Sequence, residues 1–330
     1  MTEPVSWGVL GVAGIAVHKV IPAMQRSELS PVRAIASRSE GKAQEAAIAL
    51  GIERAYPSYE ALLADPDIEA VYIPLPNHLH AEWTERAAAA GKHVLCEKPL
   101  AMSSDQARHM IDVCRHAGVK LMEAFMYRLH PMWVEAKRMV DSGEIGELLA
   151  IQSFFSYRNV DPSNIRNISD FGGGALMDVG CYPVNVARML FGAEPTTVKS
   201  SIRRDPEFGT DAVTSAVLDF EGRHATFTCS TQLEDDQGVN LVGTTGRLEI
   251  EIPFNIPPDR PTRLLHYAGG DPPVSPHVEV HEFATADQYG IQADAFSRTI
   301  REDTPVPTDP ADAVANLVVM ERIVADAGVR

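Results

Sequence analysis

The first part of the chain alternates between short, mostly apolar runs and longer segments of mixed polarity. The apolar runs cover residues 5–10, 32–36, 69–73, 93–96 and 119–124, and helical segments lie between them. Strands that are apolar throughout are typical of parallel sheets covered by helices on both faces. The pattern therefore predicts an α/β fold over residues 1–127, a doubly wound parallel sheet of about six strands that is called a Rossmann domain.

The second part has a different pattern, with long segments in which apolar and polar residues alternate. Alternation predicts strands with one buried and one exposed face, and Glu221-Gly222 and Thr245-Gly246 are typical hairpin turns. The alternating segments are residues 148–157, 197–204, 212–220, 224–232, 238–242 and 247–252. Helices are predicted at 131–141, 172–185, 287–301 and 310–327, and an irregular proline-rich loop at 253–276. We expect residues 128–330 to form an α+β domain, with a mostly antiparallel, open-faced sheet and helices on one side.

Length and charge narrow the class of protein. A chain of 330 residues is longer than one hydrophobic core usually needs, which favours two domains. The formal charge of −16 argues against nucleic acid or an anionic membrane surface as a partner. The chain has no basic-then-apolar leader and no run of about 18 apolar residues, so we expect a cytoplasmic protein.

The residues that most often bind metals form no familiar pattern. Cys96, Cys114, Cys181 and Cys229 are scattered, without a Cys-x-x-Cys pair, which is typical of a reducing compartment and predicts no structural zinc. His78 and His80 are close in sequence, but no cysteine or acidic residue stands beside them. We therefore expect no metal.

A glycine-rich turn follows the first strand and precedes a helix that extends to about residue 26. Its sequence is a dinucleotide-binding fingerprint in which alanines replace two of the three glycines, and its residues are Gly11, Val12, Ala13, Gly14, Ile15 and Ala16. Small residues let a pyrophosphate approach the backbone and the N-terminus of the helix. Any tight strand-to-helix turn also needs glycine, so the glycines alone do not identify a nucleotide site. The position of the turn, between the first strand and the first helix of the chain, supports the prediction of a dinucleotide site.

The end of the second strand carries Ser37 and Arg38, and Lys42 follows in the next helix. An NAD site would have an acidic residue at this place to bind the ribose 2′-hydroxyl. Here a guanidinium can pair with a 2′-phosphate and a hydroxyl can donate to it. The sequence favours NADP over NAD, although Arg38 and Lys42 could also be ordinary exposed cations.

Two further strand ends are candidates for the cofactor and the chemistry. After the third predicted strand, Pro74, Leu75, Asn77 and His78 lie in a stiff loop beside the glycine-rich turn, where the last two are ribose or amide partners or simply turn residues. After the next strand, Lys98 stands between Glu97 and a proline. Ligands bind at this edge of a parallel sheet, so Lys98 can reach a reacting centre, but a solvated Glu–Lys pair is the alternative.

The helical insert at 172–185 carries a carboxylate and a phenol four positions apart. Asp178 and Tyr182 therefore share one face of a helix, with Asn185 close to the same line. Three glycines precede them and leave room for a ligand, which is compatible with a site for sugar hydroxyls. The alternative is a core tyrosine whose hydroxyl is bound by Asp178.

Together these motifs resemble the glucose–fructose oxidoreductase-like (Gfo/Idh/MocA) family of NAD(P)-dependent dehydrogenases. The motifs at 11–16, 97–99, 123–128 and 172–182 occur in the family's order and spacing. Tyr182 stands where many members have histidine, which is similar to the branch of aldose (xylose-type) dehydrogenases, dihydrodiol dehydrogenases, deoxysugar ketoreductases and glucose–fructose oxidoreductase. The export signal and N-terminal arm of the last enzyme are not found here, which makes a permanently bound cofactor doubtful.

The resemblance also implies roles for individual residues. Lys98 and Tyr182 would be the catalytic pair, and Asp178 would orient the substrate. Arg166 matches a position that contacts cofactor or sugar. Glu97 and Met126 are assigned to the cofactor, and Tyr127 to the substrate, in addition to the residues already named.

These observations lead to an expected reaction: hydride transfer between a sugar carbinol carbon and NADP, with NAD as a possible substitute. A free tyrosine has a pKa of about 10, and a lysine ammonium beside Tyr182 would lower it toward the range of a useful acid or base. Alternatives are a dihydrodiol dehydrogenase, a deoxysugar ketoreductase and a nucleotide-sensing protein without turnover. An uncovered apolar sheet face in the second domain predicts a homodimer or homotetramer through that sheet.

Overall fold

The computed structural model describes residues 3–271 and 275–328. By contacts between residues, the chain divides into two compact units. The first contains residues up to Met126 together with Tyr289–Val314, and the second contains Tyr127–Gln288 and the residues from Ala315 onward. The division at 127 into a cofactor domain and a substrate domain stays a prediction.

The first unit contains a six-stranded parallel sheet of the Rossmann type. Its strands are β1 (Trp7–Leu10), β2 (Val32–Ala36), β3 (Arg54–Tyr56), β4 (Ala70–Ile73), β5 (His93–Cys96) and β6 (Leu121–Glu123). The spatial order of the strands is β3-β2-β1-β4-β5-β6. Strands β2 and β3 are added on one side of β1, and β4 to β6 on the other. Ligands bind at this change of side, between β1 and β4, in such sheets. The short strand β3 is not among the predicted strands, because its three residues are only half-buried and include a charged arginine.

In the described part of the first unit, five helices lie between the strands, and two of them begin at a serine whose side chain caps the helix. They are α1 (Ile21–Met24), α2 (Glu40–Leu50), α3 (Tyr59–Leu63), α4 (His80–Ala89) and α5 (Ser104–His116). Ser103 caps α5 by accepting a hydrogen bond from the amide of Gln106 at 3.2 Å, as one of the two predicted cap serines. A π-helical segment, Ala16–Val20, leads from the glycine-rich turn into α1.

A helix late in the chain also belongs to the first unit. It is α8 (Gln288–Glu302), and Ser297 on it accepts a hydrogen bond from the indole nitrogen of Trp7 at 3.0 Å. Both side chains are fully buried. Arg301 forms an ion pair with Glu69 at 2.6 Å. These contacts join the chain's late helix to β1 and to the residue directly before β4.

The second unit contains an eight-stranded, mostly antiparallel sheet. Its strands are β7 (Leu148–Arg158), β8 (Thr197–Arg204), β9 (Asp211–Phe220), β10 (Arg223–Ser230), β11 (Gln232–Gly243), β12 (Gly246–Ile250), β13 (Thr262–Asp271) and β14 (Ser275–Phe283). The order is β14-β13-β12-β11-β7-β10-β9-β8, in which only β7 and β10 pair in parallel among the described strand pairs. The turn at Glu221-Gly222 has positive φ at both residues, as a two-residue hairpin turn needs.

The prediction of an irregular loop at 253–276 is wrong over much of its length. β13 and the start of β14 lie within it and pair from Thr262 opposite Phe283 onward. The prolines before and after the segment favour a loop, although residues 262–267 alternate between buried and more exposed side chains. Residues 272–274 of that predicted loop lie outside the described residues.

One face of this sheet is covered by α6 (Pro131–Asp141), by α7 (Cys181–Phe191) and by a π-helical segment, Leu176–Gly180, that leads into α7. The later part of α9 (Pro310–Asp326) also belongs to this unit, where Asn316 donates to the carbonyl of Cys181 at 3.1 Å. The other face differs from the predicted apolar surface. Gln152, Ser215, Thr226 and Thr228 lie along it, with Val217 43% exposed among them.

Candidate active site

The glycine-rich turn is shaped by one close approach. Gly11 has φ +122°, and a Cβ on it would lie 3.0 Å from Cδ2 of Leu75. Its amide donates to the carbonyl of Ala36 at 2.9 Å. Two predicted cofactor elements, the turn and the loop at 74–78, therefore pack together with no room for a side chain between them. Val12, Ala13, Gly14 and Ile15 follow with partly or fully exposed surfaces, and Ala16 begins the π-helical segment.

The predicted phosphate-binding residues lie at the end of β2. Ser37 is buried and its hydroxyl accepts from the amide of Ser39 at 3.2 Å, whereas Arg38 and Lys42 are exposed. Tyr59, the first residue of α3, contacts Arg38: burial raises the pKa of this phenol, and a hydrogen bond from the guanidinium opposes the rise. The Tyr59 hydroxyl lies 3.8 Å from the Cβ position of Gly11. Tyr59 thus connects the arginine to the glycine-rich turn.

His80 holds the proline-rich loop against the segment that carries Lys98. Its Nε2 lies 2.7 Å from the carbonyl oxygen of Leu75, and its Nδ1 lies 2.9 Å from that of Pro99. Burial lowers the pKa of His80, and the carbonyl contacts only partly offset this effect. A neutral imidazole carries one N–H, so it donates to only one of these two carbonyl oxygens at a time. Asn77 and His78 lie in a 3-10 turn directly before α4, the helix that begins at His80.

Lys98 follows β5 by two residues and precedes a cis peptide bond to Pro99. The carboxylate of Glu97 accepts from the phenol of Tyr72 at 2.6 Å, and from the amide of Lys98 at 3.3 Å. The next turn is fixed by Glu123, whose Oε1 accepts from the amide of Leu100 at 2.7 Å. The motif at 123–128 thus contributes a buried carboxylate that holds the backbone beside the lysine.

Asp178 is the centre of a polar cluster in the second unit. Its Oδ2 accepts from the phenol of Tyr157 at 2.5 Å and from Nε of Arg166 at 2.9 Å. Burial, followed by the charge of Asp178, raises the pKa of Tyr157 above its usual value. Asp178 is also the main cause of the raised pKa of Arg166. The cluster therefore keeps one anion, one cation and one phenol together, which suits the binding of a substrate with several hydroxyls.

Tyr182 lies one helical turn beyond Asp178 in a wall of aromatic rings. Its ring centroid is 5.0 Å from that of Phe254, 5.5 Å from that of Phe155 and 5.9 Å from that of Tyr127. The ring is 5% exposed. Tyr127 is fully buried and donates its phenol hydrogen to Oδ1 of Asn185 at 2.6 Å. Met126, directly before it, begins a short 3-10 turn.

The run of three glycines makes room for the protein itself. A Cβ on Gly173 would lie 2.5 Å from the carbonyl oxygen of Arg166, and one on Gly174 would lie 2.0 Å from Oδ1 of Asp211. The other oxygen of Asp211 accepts from the amide of Leu176 at 2.7 Å. Gly173 and Gly174 therefore have a structural role, and Gly174 lets the carboxylate of Asp211 reach the start of the helical insert. That the run of glycines also leaves room for a ligand stays a prediction.

The structure thus brings the predicted residues together within each unit. In the first, the turn at 11–16, the loop at 74–78 and the backbone at 97–100 are joined through Leu75 and His80. In the second, Asp178, Arg166 and Tyr182 share one neighbourhood. Sequence reasoning missed Tyr59, Tyr157 and Asp211 and saw His80 only as a rejected metal ligand. Each acts through a contact with a residue at least nineteen positions away, so no local motif marks it.

Comparison with known proteins gives a consistent assignment. The family model for Gfo/Idh/MocA oxidoreductases with an NAD-binding Rossmann fold matches residues 5–125, and the model for the family's C-terminal domain matches residues 133–249. An uncharacterised oxidoreductase of Rhizobium meliloti is 47% identical over 97% of this chain and 96% of its own length. The chain therefore belongs to the Gfo/Idh/MocA family, and it is an NAD(P)-dependent oxidoreductase.

Two other similar proteins have a named activity. An NADP-dependent D-xylose 1-dehydrogenase of Haloferax volcanii is 41% identical over 96% of this chain and 95% of its own length. A 3-ketoreductase from Actinomadura kijaniata, solved with NADP and TDP-benzene, is 31% identical, covers 98% of both chains and has a TM-score of 0.90. Among the described helices, none combines the length and apolarity needed to cross a membrane.

Proposed function

We propose that the protein is an NADP-dependent oxidoreductase that acts on a sugar or a closely related cyclic polyol. The observation that carries this proposal is the polar cluster of Asp178, Arg166 and Tyr157, set one helical turn from a tyrosine in an aromatic wall. Aromatic walls with a few convergent polar groups are typical of small-ligand sites, and the carboxylate and guanidinium suit hydroxyl groups. The finer points, namely the sugar, the carbon and the proton relay, are part of the proposal.

The residues of the first unit fit a dinucleotide. Gly11 packs on Leu75 and shapes the turn, and Gly14 beyond it is exposed and has no side chain, so a pyrophosphate can approach the backbone there closely. Arg38, connected to Tyr59, is the proposed partner of the 2′-phosphate, with Ser37 and Lys42 beside it. Leu75, Asn77, His78, Glu97 and Met126 are proposed to contact the nicotinamide half. When bound, the nicotinamide supplies the chemistry of taking up or giving a hydride.

The chain's own residues handle the proton and the position of the substrate. Tyr182 is proposed to exchange a proton with the reacting hydroxyl. The ammonium of Lys98 would favour its phenolate and so lower its pKa. Asp178 accepts a hydrogen bond from a substrate hydroxyl, and Arg166 and Tyr157 keep that carboxylate charged and fixed. The aromatic side chains around Tyr182 exclude water from its ring.

The relatives support this reading without fixing the substrate. The xylose dehydrogenase from Haloferax volcanii acts on an aldose with NADP, and the Actinomadura kijaniata enzyme is a ketoreductase solved with NADP. A trans-1,2-dihydrobenzene-1,2-diol dehydrogenase from mouse is 34% identical over 74% of the chain. Its identity and coverage are lower than those of the xylose dehydrogenase, so it supports the dihydrodiol alternative less strongly than that enzyme supports an aldose. The predicted cytoplasmic location stays a prediction.

The experiment is an assay of NADPH formation with a panel of substrates. The panel contains D-xylose, D-glucose, other aldoses and a trans-dihydrodiol, and NADPH oxidation with a dTDP-linked ketosugar is measured separately. We expect turnover with an aldose, and Asp178→Asn should raise its KM more than it lowers kcat. Turnover with the dihydrodiol or the ketosugar alone would select that alternative. Binding of NADP without turnover on any substrate would favour a nucleotide sensor.

A further inference from the structure

Two histidines and a glutamate lie together on the hairpin of β13 and β14. His266 faces Glu279 across the two strands, and His281 lies two residues farther along β14, hence on the same face. One nitrogen of each imidazole and one carboxylate oxygen lie within 4.8 Å of one another. The side chain of Glu279 is 62% exposed to solvent, whereas His266 is 7% exposed.

The three groups are arranged around a common point. The Glu279 oxygens lie 3.9 Å from Nδ1 of His266 and 3.8 Å from Nε2 of His281. These distances exceed those of hydrogen bonds, so the groups face one another without being bonded pairwise. A spacing of this size is what remains when ligand atoms surround an ion, because each atom then bonds to the centre and not to its neighbour.

A second observation that points to a metal ion is that two of the imidazole nitrogens have no hydrogen-bond partner in the part of the chain that the structure describes. Among the described residues, Nε2 of His266 and Nε2 of His281 are buried atoms without a hydrogen-bond partner. Buried polar atoms nearly always have a partner, so an exception needs an explanation. For Nε2 of His281, which faces Glu279, a metal ion is a direct explanation, since a neutral imidazole nitrogen is a strong ligand.

We propose, against the expectation of no metal drawn from the sequence, that His266, Glu279 and His281 bind a divalent transition-metal ion, with Zn²⁺ as the best fit. Two imidazoles and one carboxylate, with a water as fourth ligand, form a tetrahedral set that zinc accepts readily. Tetrahedral zinc ligands lie about 3.4 Å apart at metal–ligand distances near 2.1 Å. The present separations of 3.9 and 3.8 Å between the Glu279 oxygens and the ring nitrogens are a few tenths of an ångström longer than that value.

The place in the fold indicates what the ion does. β14 is the edge strand of the eight-stranded sheet, and it pairs only with β13 among the described strands. The ligands lie on the face that also carries the buried Leu264, and α6 packs against β13. An ion held by both strands would therefore fasten the outermost hairpin to the sheet. The role is structural and is separate from the proposed chemistry at Asp178 and Tyr182.

The test is zinc binding by the full chain after treatment with EDTA, measured by isothermal titration calorimetry with zinc chloride. We expect saturable binding with one ion per chain. Glu279→Gln and His281→Asn should each weaken binding by about tenfold or more, because each removes a ligand. Zinc should also raise the melting temperature of the native protein and leave that of Glu279→Gln almost unchanged.

Two matched variants control for surface binding. Glu282→Gln removes an exposed carboxylate from the other face of β14, where it lies opposite Arg263. His224→Asn removes an exposed histidine that lies 3.6 Å from Asp219 on the same sheet. Both should bind zinc as the native protein does. The proposal fails if zinc does not saturate, or if Glu279→Gln and His281→Asn bind it as tightly as the controls. Circular dichroism of each variant reports whether it folds, and Glu279→Gln, at an exposed position, keeps the test valid if a histidine variant does not.

Discussion

Tyr157 donates its phenol hydrogen to Oδ2 of Asp178 at 2.5 Å, from a strand that lies 21 residues earlier in the chain. Because burial and the charge of Asp178 raise the pKa of Tyr157, the phenol stays protonated at neutral pH and remains a donor. Arg166 donates to the same oxygen. The carboxylate is therefore fixed from two sides before any substrate arrives, which is the arrangement expected of a group that orients a ligand.

Tyr157→Phe removes this donor while keeping the ring. The Asp178 carboxylate is then held by Arg166 alone, so substrate alignment should suffer. We expect kcat/KM to fall by about tenfold, the scale of one lost hydrogen bond to a charged group, with little change in NADP affinity. Tyr267→Phe is the matched control, since Tyr267 also donates to a carboxylate, that of Glu249 at 3.0 Å, on the same sheet. Equal kinetics for both variants would show that Tyr157 does not position Asp178.

Cofactor preference is predicted to depend on Arg38 and on the tyrosine beside it. Arg38→Ala removes the proposed partner of the 2′-phosphate and should weaken NADP binding by tenfold or more, at about 1.4 kcal/mol per tenfold, while NAD binding changes little. Tyr59→Phe should weaken NADP binding less, because it removes only the phenol that hydrogen-bonds the Arg38 guanidinium and leaves the guanidinium itself in place. Fluorescence titration with NADPH and NADH measures both. Arg33→Ala, at an exposed arginine paired with Glu53, is the control. Equal affinity of the native protein for the two cofactors would contradict the prediction.

The architecture of the chain could be predicted because its signals are local. Apolar runs such as that of β1 and alternating runs such as that of β9 depend on the residues of each strand alone. The parallel Rossmann sheet and the mostly antiparallel sheet were therefore both predicted correctly, as was the family. β13 was missed because proline and glycine on either side of it suggest a loop, although its pairing partner lies later in the chain.

The site was predictable only in part, for the same reason. Gly11, Arg38, Lys98 and Asp178 stand at recognisable places in strands, turns or a helix. The residues that position them are not marked in this way, since Tyr59, His80 and Tyr157 act across the fold through single contacts. A tyrosine in an alternating strand looks the same whether it faces solvent or a carboxylate. Tertiary contacts decide that difference.

The stability of the second unit should depend on the protonation of His130. This fully buried ring caps α6, where its Nδ1 accepts from the amide of Met132 at 3.2 Å, and burial lowers its pKa to about 4. The unfolded chain binds this proton near pH 6.5 and the folded chain near pH 4, so folding becomes less favourable as the pH falls between these values. The loss should reach about 3 kcal/mol.

Urea denaturation between pH 7.5 and pH 4 measures this loss. His130→Asn keeps a capping oxygen and does not titrate, so it should lose less free energy of unfolding than the native protein over the same range. All other titrating groups are shared by the two proteins, and the difference between their curves therefore isolates His130. Parallel curves would show that the ring is not the source of the pH dependence.

Assembly through the eight-stranded sheet stays a prediction, and the structure changes its physical basis. The uncovered face is mixed, with Thr226 and Thr228 beside the 43% exposed Val217, so a partner would be bound by hydroxyl contacts as well as by apolar burial. Light scattering at micromolar concentration should give the mass of a dimer or tetramer. Val217→Glu should reduce it to the monomer mass, whereas Ile48→Glu, on an exposed position of α2, should not. A monomeric native protein would refute the prediction.

The proposed proton relay joins a residue of the first unit, Lys98, to one of the second, Tyr182. Tyr182→Phe keeps the aromatic ring that contacts Phe155 and Phe254 and removes only the hydroxyl, so the fold and NADP binding should be retained. If that hydroxyl is the acid or base, turnover should fall by about 10²- to 10⁴-fold. Lys98→Met should cause comparable loss, because the phenolate then lacks the positive charge that favours it, and a tyrosine without such help is a poor base at neutral pH.

The double variant separates a relay from two independent contributions. Groups that act as one unit are not additive, so Tyr182→Phe combined with Lys98→Met should be little slower than either single variant. Independent roles would instead multiply the two losses. The pH profile of kcat for aldose oxidation adds a second readout. Its acidic limb, along which the phenol loses its proton, should move to higher pH in Lys98→Met, since the lysine charge no longer favours the phenolate. Near-native turnover of Tyr182→Phe would mean that this tyrosine serves only to pack the aromatic wall, and that the proton is carried by another group.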